Sequence, residues 1–571
     1  MGTRARWSTC LTRWISRESL NLPLPLVNRT DSRGPSLARA SAVMALGIGL
    51  SRFTGLLRIA AVTAVVGVVE TRLADAYNIA NAVPLLVYEL MLGGIMSSVV
   101  VPVMVELIEE DRERAWSIAT AFINLALSGL ILVTIIVIAA APWIAQFYSG
   151  RMGGAEGDVQ REAITLLLRL LIPQIIFFGL AGITAGLLNA HRRFAVPMYT
   201  PILNNVAVIV VFVGFYNAFG KADLNAGTRQ LIILGLGTTF GVVLMALAQL
   251  PFLREFGRYR ANISVPWPLL KKIIRLSLYI FGYVLVSQVG YLFMQWLASA
   301  EQGGFSAFVV AYTFFLVPIS LVGYSVSTAL LPDMSSHASN ERWTEFRDRL
   351  SVGVRVNLFL LVPAAVGYIV LGQEILRVLL LNGVMTVQSV DLIWQVLALM
   401  ILGLPQAAIF SAFVRAFYAM QDARSPFLIV SAVVVLNAAL NVPLFIWLGV
   451  RGLALGQAVA LTAAVFISGR SLSGRISGID TRKVFRSGLR CLLAAMGMGM
   501  TVWAALQPLE RFLVTGSQFG ATILVFALGV LGAGVYLALA WAMKVEEVVH
   551  LRKLSPFRPV TEDGQTGRLS G

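Results

Sequence analysis

Two arginines, Arg52 and Arg58, stand six residues apart in GLSRFTGLLRIAAVTAVVG (49–67), a run that contains no acid. A guanidinium group is a planar fork of N–H donors that matches the oxygens of a phosphate in bidentate fashion. The chemistry such a pair could do is anion binding, above all of a phosphate. On a helix six residues correspond to about 9 Å along the axis and about 120° around it. The two arginines therefore cannot make one flat clamp, and read as successive contacts for a moving head group. Polar partners follow in the next apolar stretch: at about 100° per residue, Asp75, Asn78, Glu89 and Ser97 fall within one stripe. Together these groups would line a polar, partly ion-paired cavity and bind an anionic substrate.

The elements that must position them are membrane spans. The chain is 57% hydrophobic and 13% charged, too apolar for a soluble protein of 571 residues. Windows of roughly 20 apolar residues occur about fourteen times, near 41–67, 76–104, 116–145, 163–190, 196–219, 229–252, 271–298, 305–331, 350–372, 387–418, 426–448, 452–469, 487–508 and 517–543. A charge at the centre of a span costs ~2.5 to 3.5 kcal/mol on insertion scales. Arg52 lies deep in its span and is expected to face a cavity. Arg169 and Arg415 fall near the ends of theirs, where a long side chain can snorkel to the interface.

The net charge of +16 suggests nucleic acid until the charges are placed. With the N-terminus inside, 28 Lys and Arg fall in cytoplasmic segments, 7 in external loops and 10 within the bounds of the spans, most of these near a cytoplasmic end, which is the positive-inside pattern. The basic balance therefore reports orientation and contact with anionic lipid head groups, and no nucleic-acid partner is expected. Residues 1–40 carry seven arginines without a signal-peptide core and read as a disordered cytoplasmic tail; the periodic apolar pattern starts only at Met44, an alternative initiator. Residues 544–571 read as a second cytoplasmic tail.

An internal repeat organises the spans. Pro84 and Pro318, Pro102 and Pro332, the Pro-Gln pairs at 173 and 405, Pro197 and Pro426, and Asn205 and Asn437 are each separated by 229 to 234 residues. Two six-helix lobes are expected, at 41–252 and 271–469. Basic cytoplasmic segments at 253–270 and 470–486 follow the lobes, and an extra helix pair lies at 487–543. Each half starts inside and spans an even number of times, so the repeat is parallel, with the substrate cavity between the halves. Pro84, Gly93 and Gly94 are candidate hinges.

Other chemistries find little support. Cys10 and Cys491 make no disulfide framework, the three histidines (His191, His337 and His550) fall in loops or a tail, and no spacing suits a metal. No G-x-x-x-x-G-K-[ST] loop exists to hydrolyse a nucleotide, so transport would run downhill, on an ion, or on membrane potential. Asn437 and Asn441, one turn apart, could offer oxygens to a coupling sodium ion, although hydrogen bonding between helices accounts for them better. A membrane enzyme would show paired carboxylates near one face, for which Glu70 and Asp75 are the nearest and a weak candidate. Neither a catalytic residue, a cofactor nor a metal is expected.

The runs SRFTGLLR (51–58), ADAYNIANAVP (74–84), GGIMSSVVVPVMVE (93–106), GLLNAHRRFAVPMYTPILNN (186–205) and VPISLVGYSVSTALLPDMS (317–335) resemble the MurJ/MviN family of lipid II flippases, within the multidrug/oligosaccharidyl-lipid/polysaccharide (MOP) exporter superfamily. The resemblance covers about residues 41–470 and looks like the high-GC Gram-positive branch. It implies an all-α polytopic fold of about fourteen helices, a V of two lobes plus two C-terminal helices, in the bacterial cell membrane with both termini cytoplasmic. It implies transfer of lipid II, an undecaprenyl-pyrophosphate-linked disaccharide pentapeptide, from the inner to the outer leaflet, and cell-wall synthesis or division proteins as further candidate partners. Arg52 and Arg58 match the family's first-helix arginines and Asp75 the acid opening the second helix. The chain departs where Tyr88 and Glu89 replace arginines, Gly93 replaces an acid, and Tyr312 and Thr313 replace an Asp-Arg pair. The alternative is another MOP-type exporter, for a different polyprenyl-linked glycan or for drugs and cations.

Overall fold

In the computed structural model the described residues are 37–92, 104, 107, 111–150, 155–191, 193–222, 227–257, 259–476, 478–513 and 518–547. Every regular element among them is helical, because a backbone in lipid has no water to bond and a helix satisfies its polar groups internally. The first half holds α1 (Leu37–Val66), α2 (Arg72–Leu92), α3 (Arg112–Ser149), α4 (Ala155–Leu171), α5 (Gln174–Ala190), α6 (Ala195–Phe219) and α7 (Thr228–Leu247). The second holds α8 (Trp267–Ala298), α9 (Gly304–Pro318), α10 (Tyr324–Ser339), α11 (Trp343–Leu380), α12 (Val387–Ile401), α13 (Leu404–Ala419), α14 (Arg424–Leu448) and α15 (Val450–Ser473), followed by α16 (Thr481–Leu513) and α17 (Gln518–Ala542).

Twelve described helical runs are long and apolar enough to cross a membrane, or thirteen when the bent pair α12 and α13 is taken as one span. The second expected span, 76–104, appears as α2, and its continuation lies outside the described residues, as do Gly93, Gly94 and Ser97. Large apolar side chains are exposed around the bundle, including Trp143, Trp447 and Phe466 at 74%, 80% and 79%. Water would not tolerate such a surface and lipid requires it.

The duplication predicted from proline spacing is visible in the helix breaks. Pro173 lies in the break between α4 and α5 with Gln174 opening α5, and the pair at 405 follows the break between α12 and α13, bent by 47°. Pro197 and Pro426 each occupy the third position of their helix, α6 and α14. The candidate hinge Pro84 lies inside α2, which continues through it from Arg72 to Leu92. Its counterpart Pro318 does end α9, with a π-helical turn at Ile319–Gly323 before α10. Proline removes the N–H that would bond the carbonyl four residues back, and here the Tyr368 hydroxyl approaches that carbonyl, Phe314 O, at 3.5 Å. Arg169 is also displaced from its expected place, because its helix starts at Ala155 and the side chain is exposed beside the Pro173 break.

Residues 46–571 form one unit, and its core shows how the halves meet. Buried apolar residues of both halves merge into one cluster around Val65–Val68, Leu73–Ala80, Met294–Ala298, Phe305–Phe315 and Leu376–Val396. This is the end that carries the loops 67–71, 299–303 and 381–386. At the far end, among the described residues, each half has its own cluster: Met104, Ala115–Ile123, Ile183–Leu188 and Leu253 in the first, Met334, Phe346–Val354, Ala412–Ala419 and Ala460–Ile476 in the second. Helix α2 packs on α8 and α9 across the junction. Among the described residues the lobes thus share one core at one end and keep separate cores at the other.

Helices α16 and α17 attach through α11: the Tyr536 hydroxyl donates to Phe359 O at 2.7 Å, and Glu547, 4% exposed, pairs with Arg355 at 3.1 Å. A buried carboxylate left without its cation costs about 3 to 5 kcal/mol. Arg355→Ala is accordingly expected to lower the melting temperature of the detergent-solubilised protein, and Arg355→Ala with Glu547→Gln to recover part of the loss.

Candidate functional site

The first arginine-bearing helix presents three sides. Leu46, Leu50, Phe53 and Leu57 are exposed at 65%, 43%, 56% and 38% and lie on one stripe at about 100° per residue, the lipid side. Ser51, Thr54 and Gly55 face α6, where the Asn205 amide donates to Ser51 O at 3.1 Å and to Thr54 Oγ1 at 3.0 Å. Arg52, exposed, falls on the third side with Leu56 and Ile59, which pack on the core shared by the lobes. It is turned away from lipid by about 130°. Arg58 lies elsewhere around the helix, against the Tyr77 hydroxyl of α2. Tyr77 is buried, hydrogen-bonded to Thr238 Oγ1 of α7 at 2.9 Å, and its ring meets Phe212 edge-on at 5.4 Å. The two guanidinium groups differ in setting: Arg52 stands exposed, and Arg58 is held by a network inside the first lobe.

Asp75 is not on an open wall. It is 1% exposed, and its carboxylate crosses to the second lobe, where Oδ2 accepts from the Gly303 N–H at 2.9 Å. Oδ1 accepts from the Ser306 N–H at 3.0 Å and from the Ser306 hydroxyl at 2.6 Å. Burying a carboxylate demands such donors, and here they come from the first turn of α9 and the residue before it. Gly303 sits at φ +72°, and a Cβ there would stand 2.7 Å from Val69 Cγ1 and 2.8 Å from Val68 O. Only glycine combines that left-handed backbone with so close an approach of the two loops. Asn78, one turn along α2, donates to Ser306 Oγ at 3.0 Å. The expected polar stripe therefore divides: Asp75 and Asn78 close the junction between lobes, whereas Glu89, half-buried, lies three turns deeper.

The positions where charges were expected and are absent are filled by packing. Tyr88 stacks near Phe178 of α5 at 5.5 Å between ring centres. Tyr312 lies among Tyr291, Phe308 and Phe315 at 5.7, 6.3 and 6.1 Å, and the Thr313 hydroxyl returns to Val309 O of its own helix at 2.9 Å. Asn437 donates to Gln457 Oε1 at 3.0 Å, tying α14 to α15. Asn441 is fully buried beside Gly456, where a Cβ would stand 2.1 Å from its Oδ1. Amide oxygens without a carboxylate make a poor cation site, so this donor set fits a joined helix pair better than a sodium site.

Ser306, Gly303, Tyr77 and Thr238 escaped the sequence reading. Tyr77 carried a signal, since the Ala-Tyr pair at 76–77 recurs at 311–312. Ser306 carried none, because spacing along the chain says nothing of which loop meets Asp75.

The family model described as lipid II flippase MurJ matches residues 67–533. The chain is 26% identical over 421 residues to the probable lipid II flippase MurJ of Rhizobium meliloti (strain 1021), covering 72% of this chain and 76% of that protein. It is 27% identical over 515 residues to that of Thermotoga maritima, covering 90% and 98%. Its fold matches a solved lipid II flippase MurJ in an inward closed conformation, with a TM-score of 0.70, 22% identity, and 90% and 99% of the two chains covered. It also matches an inward-facing multidrug resistance MATE family transporter of the MOP superfamily, with a TM-score of 0.62, 15% identity, and 76% and 98% covered. With two lobes joined at one end, a duplicated helix pattern and a family match over most of its length, this membrane-spanning chain belongs to the MurJ lipid II flippase family.

Proposed function

We propose that this protein moves lipid II from the inner to the outer leaflet of the bacterial cell membrane by alternating access, with Arg52 and then Arg58 engaging the pyrophosphate. The observation that carries the reading is the one-ended junction of the lobes, with Arg52 on a side of α1 turned away from lipid. The clustering of Lys and Arg at the far end supports a cytoplasmic setting for that end, and on this reading the Asp75–Ser306 closure is the outer gate. An anionic head group entering from inside would first meet the exposed Arg52. Arg58, about 9 Å nearer the outer end, would follow once it leaves Tyr77.

No residue need touch a reacting atom, since flipping breaks no bond. The protein's task is to replace the hydration of a pyrophosphate with guanidinium donors and to exchange one closed end for the other. Asp75, Asn78, Gly303 and Ser306 act on that exchange by stabilising the state with the outer end shut. A positive cavity also senses potential: one charge crossing 100 mV changes energy by ~2.3 kcal/mol, which favours the inward return of the empty carrier.

The reading is tested by depleting the protein and measuring lipid II in the outer leaflet with a probe confined to the outside; unchanged outer access would overturn it. Arg52→Ala is expected to abolish rescue of depleted cells while the protein still inserts, and normal growth would remove Arg52 from the substrate path. Arg58→Lys keeps the charge without the fork and is expected to rescue partially, growth equal to the parent meaning that charge alone suffices. Asp75→Asn places an amide N–H against donors and should weaken the outer gate by about 2 kcal/mol. Gly303→Ala should do so by at least as much. Both should slow growth and speed thiol labelling of the cavity from outside.

A further inference from the structure

Glu70 lies in the turn between α1 and α2, outside both helices, and its carboxylate also reaches the other lobe. Oε1 accepts from the Thr386 N–H, the Thr386 hydroxyl and the Ser389 hydroxyl, each at 2.7 Å. Oε2 accepts from the Val68 N–H at 2.7 Å, which fixes the side chain in its own turn. Thr386 is the N-cap of α12, its hydroxyl accepting from Ser389 N at 3.3 Å, and Ser389 Oγ in turn accepts from Val69 N at 3.2 Å. The first turn of a helix exposes unpaired N–H groups and the positive end of the macrodipole. Here an acid from the opposite lobe answers both.

We propose that Glu70 is a second, independent latch of the outer gate, capping α12 across the lobe junction only while the outer end is shut. Glu70 is a positioning residue, since it acts on the gate and not on the cargo. Asp75 holds α9, whereas Glu70 holds α12, the half-helix that ends at the 47° bend before α13. Outward opening then strips Glu70 from the N-terminal turn of α12, leaving Thr386 as its cap, and water must replace a carboxylate and its hydrogen bonds. Release of Glu70 frees α12 to move about the bend, so the break placed by Pro405 acquires a trigger at the opposite end of the same helix. The Val384 N–H bonded to Ala64 O at 3.0 Å adds a backbone link at the same seam.

The groups acting on Glu70 from its own turn and from α12 are hydroxyls and backbone amides. Burial pushes the carboxyl up, but hydrogen bonds from Ser389, Val68 and Thr386 outweigh it and hold the group below its ordinary value of 4.5. A carboxylate whose value is lowered in the latched state keeps its full contribution above 4.5 and loses it only as pH falls lower. The latch should thus be insensitive to external pH between about 6 and about 8.

The test uses the full-length protein in membrane vesicles, with Cys10→Ser and Cys491→Ala removing the native thiols and Ala82→Cys, one turn deeper than Asn78 on α2, as reporter. Labelling by a membrane-impermeant thiol reagent is compared in right-side-out and inverted vesicles. Glu70→Gln, and separately Thr386→Val with Ser389→Ala, are expected to speed outside labelling about tenfold and to slow inside labelling. Spin labels at Lys221→Cys and Gln388→Cys should report a wider separation in Glu70→Gln, and in the parent a separation that stays constant over the neutral range. Outside labelling equal to the parent, or a rise on both faces as misfolding would give, would overturn the latch. The inference takes its direction of transport from the flippase reading, yet the labelling needs no lipid II. A latch that behaves as expected beside unchanged outer-leaflet lipid II when the protein is depleted would refute the flippase reading alone.

Discussion

One buried carboxylate sets the state in which this molecule is seen. Asp75 has almost no contact with solvent, and an ion so placed survives only if donors surround it. None of the three donors belongs to its own lobe; all come from Gly303 and Ser306 of the other. The constraint runs in both directions. The second lobe must bring a left-handed glycine within van der Waals reach of Val68 and Val69, and the first must end α1 before that approach. Once this seam forms, the surrounding apolar residues of both lobes bury each other as a single core. The far end, lacking such a seam among the described residues, keeps two separate cores.

Duplicated sequence does not enforce duplicated behaviour. Pro173 and Pro405 both stand at breaks, the first as the N-cap of α5 and the second in the first turn of α13. Pro84 and Pro318 part company: one is absorbed within α2, the other ends α9 in a π-helical turn. A proline deletes one hydrogen bond in either place. At Pro318 the freed carbonyl, Phe314 O, is approached by a tyrosine from α11. The halves therefore share a plan and differ in where they yield.

The charges show the same division of labour. Arg52 and Arg58 came from one run of sequence and were expected to act as a sequential pair. In the fold their surroundings differ, since Arg58 leans on Tyr77, itself bonded to Thr238, while Arg52 shares its side of α1 with core-packing Leu56 and Ile59. Where relatives of this kind are expected to carry further charges, Tyr88 and Tyr312 build aromatic contacts instead.

The sequence alone determined that this chain spans a membrane, that it does so by helices, roughly where each span lies, and that the two halves repeat. These properties depend on composition and on spacing along the chain: a run of about 20 apolar residues is a span whatever surrounds it, and a proline offset survives folding unchanged. The partners of Asp75 and Glu70, some 230 and 320 residues away, could not be read that way. Neither could the seam between lobes, the side of α1 that Arg52 occupies, or the difference between Pro84 and Pro318. Each depends on which surfaces meet in three dimensions, and a carboxylate in a sequence states only that it needs donors. Tertiary structure decided which donors, and with them which end of the transporter is shut.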